Sequence, residues 1–116
     1  MTKKIILVML LVPQLVFAVN NIERTNRLAN DIASNVQSLT SEQLDSISLS
    51  AATYFSALQT ANVQYPTDVK TRISVKAEAD SIFNQSLQRI MTSPQWQQWN
   101  NVKETRQQLL AEQHKN

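Results

Sequence analysis

The side chains able to do acid–base, metal or nucleophilic chemistry are few. The chain has 116 residues, with nine Asp and Glu, one His, His114, and no Cys or Gly. A Ser–His–acid triad needs an imidazole held in place, and His114 sits in a polar tail expected to fray. Without Cys there is no thiolate nucleophile, and without Gly no glycine-rich phosphate cradle. Zinc and copper sites want converging His, Cys or Met ligands, which this chain lacks beyond its first 18 residues except for His114 and Met91. Carboxylates remain. Glu42 with Asp45, and Glu78 with Asp80, are too close along a helix to face each other across a cleft as a glycosidase pair does. These absences predict a non-enzyme with no cofactor, no metal and no catalytic residue.

Residues 1–18 read as a secretion signal. Lys3 and Lys4 form a positive start, Ile5 to Val12 an apolar run, and Val16-Phe17-Ala18 a cleavage pattern, so the mature chain would be residues 19–116, a single small helical domain. The apolar run is shorter than the roughly 20 residues of a membrane span, so no membrane insertion is expected after cleavage. Loss of Lys3 and Lys4 leaves nine basic against nine acidic residues. A neutral chain has no basic stripe and is a poor partner for nucleic acid.

Absence of Gly, which tight turns and bulges of β-proteins use for positive φ, favours an all-α protein with no sheet. Four amphipathic helices are predicted. The first runs from about Asn21 to Ser38 with Ile22, Ala29, Ile32, Ala33, Val36 and Leu39 on one face. Glu23 and Arg27 form an i,i+4 surface pair on it. The second runs to about Asn62 with a stripe of Leu44, Ile47, Ala51, Tyr54, Phe55, Leu58 and Ala61. A linker through Tyr65 and Pro66 follows. The third spans about Asp68 to Met91 with Thr67 as N-cap. Its main face is Val69, Ile73, Ala77, Phe83, Leu87, Ile90 and Met91, widened by Val75, Ala79 and Ile82. Lys76 and Asp80 read as an ordinary surface pair. The fourth helix carries Trp96, Trp99, Val102, Arg106, Leu109 and Leu110 at helical spacing, and frays from Glu112.

Two short stretches punctuate this layout. Leu39-Thr40-Ser41-Glu42-Gln43-Leu44 opens the second helix and Met91-Thr92-Ser93-Pro94-Gln95-Trp96 opens the fourth. Both read apolar–Thr–x–x–Gln–apolar. The Thr hydroxyl accepts from the N–H three residues on, and the Gln reaches back to the Thr N–H, as in a capping box; the flanking apolar pair fits a hydrophobic staple. Trp96 and Trp99 have two readings. Both are core, or they form a protein-binding surface. Trp99 is expected inside and Trp96 nearer an edge, because Arg106 lies on the same line of the helix.

On Leu39, Thr40 and Gln43, then Met91, Thr92 and Gln95, the chain resembles the Spy/CpxP family of small periplasmic helical proteins, also called the LTxxQ family. The likeness covers most of the mature chain in layout. It implies a cradle-shaped homodimer of bent helical hairpins in the periplasm. It also implies ATP-independent chaperoning of unfolded envelope proteins, or an accessory role in envelope-stress sensing. The alternative is a small structural or inhibitory subunit dedicated to one periplasmic or secreted partner. The chain departs from the family at Met91, where Leu is usual, and at Ser93-Pro94, where Pro-Glu is usual. It also lacks the basic concave face of the chaperone members and the His or Met ligands of metal-responsive relatives.

Overall fold

The computed structural model describes residues 21–115. The expected leader and its cleavage point after Ala18 lie outside them. The protein is all-α: among the described residues there are four helices and no strand. Helix α1 covers 21–35, α2 Ser41–Gln64, α3 Val69–Ile90 and α4 Ser93–Lys115. No helix among the described residues is long and apolar enough to cross a membrane.

Each boundary has a local cause. Helix α1 ends before Ser38, earlier than its apolar pattern suggests. The Val36 N–H still reaches the Ile32 carbonyl at 3.0 Å, but Ser38 takes a left-handed conformation with φ 63°. In a Gly-free chain a serine has to make this turn, which costs about 1–2 kcal/mol relative to helical backbone. Helix α2 starts at Thr40, whose extended backbone (φ −76°, ψ 162°) and full capping box match the sequence expectation. It runs two residues past Asn62 and stops at Tyr65, before Pro66.

The N-cap of α3 is Asp68, not Thr67. The Asp68 carboxylate accepts from the Thr71 N–H at 3.2 Å and from the Thr71 hydroxyl at 2.7 Å, and the hydroxyl bond holds its carboxyl below the usual range. A carboxylate outbids a hydroxyl at this position because charge-assisted bonds to orphan N–H groups are stronger. Arg72 then ties the linker down, donating from Nη1 to the carbonyls of Pro66 at 2.9 Å and Tyr65 at 3.3 Å. Helix α4 continues to Lys115, past the expected fraying point at Glu112.

The core draws on all four helices. Ile32 and Val36 come from α1, Ile47 and Ala51 from α2, Phe83, Leu87 and Met91 from α3 and its cap, and Trp99 from α4. Ile32, Ile47 and Leu87 are fully buried, each contributing about 1.5–3 kcal/mol relative to exposure. These residues gather at the end of the molecule where the two Thr-x-x-Gln stretches meet. Toward the α2–α3 turn apolar cover thins: Ala61 is buried, but Val63, Val69 and Ile73 are all more than half exposed. The thinnest dimension is 21 Å, about two helix diameters, so each helix has at most one layer behind it.

The buried line of α3 is therefore Ala79, Phe83 and Leu87. The expected main face is rotated: Val69, Ile73 and Ala77 lie outside, and Ala79, read as a flank, lies inside. In α1, Ile22 and Ala33 are likewise exposed. In α4 the stripe is covered only as far as Val102, leaving Leu109 and Leu110 exposed.

Candidate functional site

The two capping boxes form as expected, and they are joined. Gln43 Oε1 accepts from the Thr40 N–H at 2.9 Å while the Thr40 hydroxyl accepts from the Gln43 N–H at 3.0 Å. At the second copy, Gln95 Oε1 accepts from the Thr92 N–H at 3.0 Å and the Thr92 hydroxyl accepts from the Gln95 N–H at 3.3 Å. The free amide nitrogens then cross over. Gln43 Nε2 donates to Gln95 Oε1 at 2.8 Å and to the Ile90 carbonyl at 3.0 Å. Gln95 Nε2 donates to the carbonyls of Ser38 at 3.0 Å and Gln37 at 3.2 Å. Ser38 and Ile90 hold equivalent places before their motifs, so the exchange has approximate two-fold symmetry. It satisfies the carbonyls exposed by the Ser38 turn. Gln98 adds one more tie, accepting from the Gln37 N–H at 2.9 Å. Gln95 is buried, Gln43 half-buried, Met91 buried and Leu39 packed against the core. The six motif residues thus form a structural knot, and Thr40 and Thr92 at its ends are exposed.

The tryptophans divide as their line with Arg106 suggests. Trp99 is 4% exposed and belongs to the core; Trp96 is half-buried at its edge. Each carries a cation over its ring: Lys103 Nζ at 4.9 Å from the Trp96 centroid and the Arg106 guanidinium at 5.8 Å from that of Trp99. Arg106 also grips Asp31 of α1 with two bonds of 2.7 and 2.8 Å. That bond holds the Asp31 carboxyl below its usual range and raises the guanidinium. The pair links α4 to α1 at the exposed edge of a contact packed by Ile32, Val36 and Trp99.

The chemistry-bearing side chains do not converge. Glu42, Asp45, Glu78 and Asp80 are exposed, as is His114. Glu23 and Arg27 pair loosely at 3.9 Å in solvent, as expected. Asp80 does not pair with Lys76. It accepts from the Tyr54 hydroxyl across the α2–α3 interface, because the ring, stacked on Phe83 at 5.1 Å, is aimed there. Burial, reinforced by Asp80, pushes the Tyr54 phenol up to about 12. Lys103 reaches from α4 to Asn84 Oδ1 at 3.1 Å. Burial lowers its ammonium while Asp80 opposes the shift. Among the described residues no group of three or more His, Asp or Glu stands close enough to hold a metal ion.

One surface feature escaped the sequence reading. The face of the α2–α3 hairpin beside Tyr54 and Phe83 is an open groove of about 230 Å³. Leu49 and Thr53 wall it on α2 and Ile82 on α3; Ser50, Ala57, Ala79 and Ser86 complete its lining. Leu49 is 71% exposed and Ile82 51%. No charged residue lines it. The available signal was Leu49, which falls off the stripe of α2 and so has no interior role. Exposed aliphatic side chains thus flank a shallow concavity lined by the Tyr54 and Phe83 rings and by small side chains. Comparison with protein-family models, with curated proteins and with solved structures finds no match to this chain.

Proposed function

We propose that the protein is a secreted, periplasmic helical binding protein that shields apolar segments of other proteins without ATP. In this it is like the envelope chaperones and stress accessory proteins of the family it resembles. The observation that carries this reading is the α2–α3 groove, whose walls expose Leu49 and Ile82 to solvent. Aliphatic side chains held out of the core beside a concavity lose nothing by folding and gain by covering an apolar partner. The reading includes no reaction and no cofactor, since the carboxylates and His114 are dispersed on the surface. Its test is suppression of aggregation by the mature form, residues 19–116, on several unrelated denatured proteins. Slower aggregation of all of them is expected, and no effect on any would overturn the reading. Processing belongs to it as well. N-terminal sequencing of exported protein should give Val19, and an intact Met1 would contradict secretion.

A second reading, a small subunit dedicated to one partner, draws on α4. Its last turns project with Leu109 and Leu110 exposed, as a single docking helix would. Co-purification of one stoichiometric partner, with no effect on general aggregation, would favour it.

A further inference from the structure

We infer that an open concavity between α1 and α2 binds a polypeptide carboxylate that stands beside an apolar side chain. The site is separate from the α2–α3 groove. It rests on the protein-binding reading only in taking a polypeptide as its ligand.

The concavity measures about 280 Å³ and is lined by Arg24, Arg27, Leu28 and Asp31 of α1 and by Phe55 of α2. Arg24, Leu28 and Asp31 follow at steps of four and three, so they share one line of the helix. Phe55 forms the opposite side, its ring tilted against Tyr54 at 5.2 Å. Leu28 and Phe55 are half-buried, which leaves part of each open to a ligand.

The charges decide what that ligand is. Asp31 is the one acid in the lining, and its carboxylate is already spent. It accepts from the Arg106 guanidinium at 2.7 and 2.8 Å and from Asn35 Nδ2 at 3.1 Å. Among the described residues Arg24 makes no ion pair, and Arg27 reaches only Glu23, at 3.9 Å with both side chains mostly in solvent. Glu23 does not line the concavity, and neither do Glu104 and Glu112 of α4. Helix α2 brings no charge between Ser46 and Gln64. Arg24, Arg27 and Arg106 set against Asp31 and Glu23 leave one positive charge uncompensated. Arginines three positions apart on a helix also repel each other. A guanidinium takes a carboxylate through two parallel N–H···O bonds. One surplus charge suits a monoanion, and Leu28 and Phe55 suit an apolar group held next to it. A fatty acid has the same head, but its chain needs an apolar cleft that covers most of it, and two side chains do not make one. The carboxylate is therefore that of a C-terminal apolar residue, or of an Asp or Glu beside one.

The probes are N-acetyl-Gly-Gly-Phe as the free acid, the same peptide as its amide, and N-acetyl-Gly-Asp-Phe amide. Binding to the full mature chain is followed by backbone amide shifts in a nitrogen–proton correlation spectrum. At least one of the two acids should give saturable shifts at Arg24, Leu28 and Phe55, and should bind on the order of tenfold more tightly than the neutral amide. The tighter of the two acids names the source, a chain end or an internal acidic residue. Arg24→Gln should weaken the acid by about the same factor and leave the neutral amide unchanged. Arg24→Lys, which keeps the charge and loses the fork, should fall between. Arg24 is exposed, so circular dichroism melts of both variants should match the wild type. Equal binding of acid and amide, or no saturation by either acid, would overturn the inference. So would tighter binding of decanoate, or an Arg24→Gln effect no larger than that of Lys70→Gln, which removes an equal charge from α3. The aggregation assay judges the broader reading separately. A protein that suppresses aggregation but ignores both acids loses only this site, and one that binds them but protects no client loses only the chaperone reading.

Discussion

Gln43 donates an amide proton to the side-chain oxygen of Gln95 at 2.8 Å, across 52 residues of sequence. The same two side chains close their own capping boxes and bond the carbonyl just before the other motif. A helix start thereby becomes a tertiary crosslink, made of neutral groups whose donors and acceptors are nearly all used. Removal of Gln95 should be costly, since it strands the carbonyls of Gln37 and Ser38 and the N–H of Thr92 in a partly buried site. Gln95→Ala should destabilise by about 3 kcal/mol, and a double-mutant cycle with Gln43→Ala should give a coupling of about 0.5–3 kcal/mol. Additive urea-unfolding energies would mean the two motifs act independently.

The threonines should matter less. Thr40 and Thr92 are exposed and each supplies one capping bond. Thr40→Ala or Thr92→Ala should cost about 0.5–2 kcal/mol and leave partner binding intact once folding is allowed for. A Thr40→Ala protein with unaltered thermal stability and no activity would make the motif a contact site.

Trp99→Ala should destabilise by about 3–5 kcal/mol, because the ring is 4% exposed among Ile32, Ile47 and Leu87 in one cluster. Trp96→Ala should cost less, about 1–2 kcal/mol, for a half-buried ring at the edge. For a domain of this size the first loss approaches the whole stability. Circular dichroism melts of the two variants check the order, and a Trp99→Ala protein that melts like the wild type would move that ring to the surface.

Acid should loosen α4 from α1. The Arg106 guanidinium holds the Asp31 carboxyl below its usual range. A carboxylate with a depressed folded value contributes stability above its unfolded value, about 3.9, and loses it as pH falls through the lower folded value. The wild type should therefore lose more thermal stability than Asp31→Asn between pH 5 and pH 3. Equal losses in the two proteins would show that the pair contributes nothing, as many exposed ion pairs do.

Alkali acts on a different joint. Burial and Asp80 hold the Tyr54 phenol up at about 12. A raised folded value gives stability that is complete below the unfolded value, about 10, and lost as pH rises through the folded one. Between pH 10 and 12 the wild type should therefore lose stability that Tyr54→Phe does not, since the variant keeps the stack on Phe83 and has no proton to lose. An ultraviolet titration should assign the highest tyrosine transition to Tyr54 by its disappearance in the variant.

The parts of this protein legible in its sequence are those set within a few residues of themselves. Thr40 and Gln43 cap α2, and Thr92 and Gln95 cap α4, because donor and acceptor lie three positions apart and the backbone alone brings them together. The stripe of α2 from Leu44 to Ala61 keeps its place because it has one strong helical period, and every residue of it is at least partly buried. Where two periods compete, local pattern does not choose. Helix α3 offers apolar residues on nearly three sides, and only the contact with Tyr54 and the α2 interface decided that Ala79, Phe83 and Leu87 turn inward while Val69, Ile73 and Ile82 stay in solvent. Asp80 reads as the partner of Lys76 at i,i+4, yet a tyrosine 26 residues away takes it. The Ser38 turn and the Gln43–Gln95 exchange belong to the same class. They depend on two loops meeting in space, and no spacing along the chain encodes that meeting. Helical periodicity is a property of one segment, whereas burial and long-range hydrogen bonding are properties of the packed whole, where the choice among apolar faces is made by which neighbour is there to cover them.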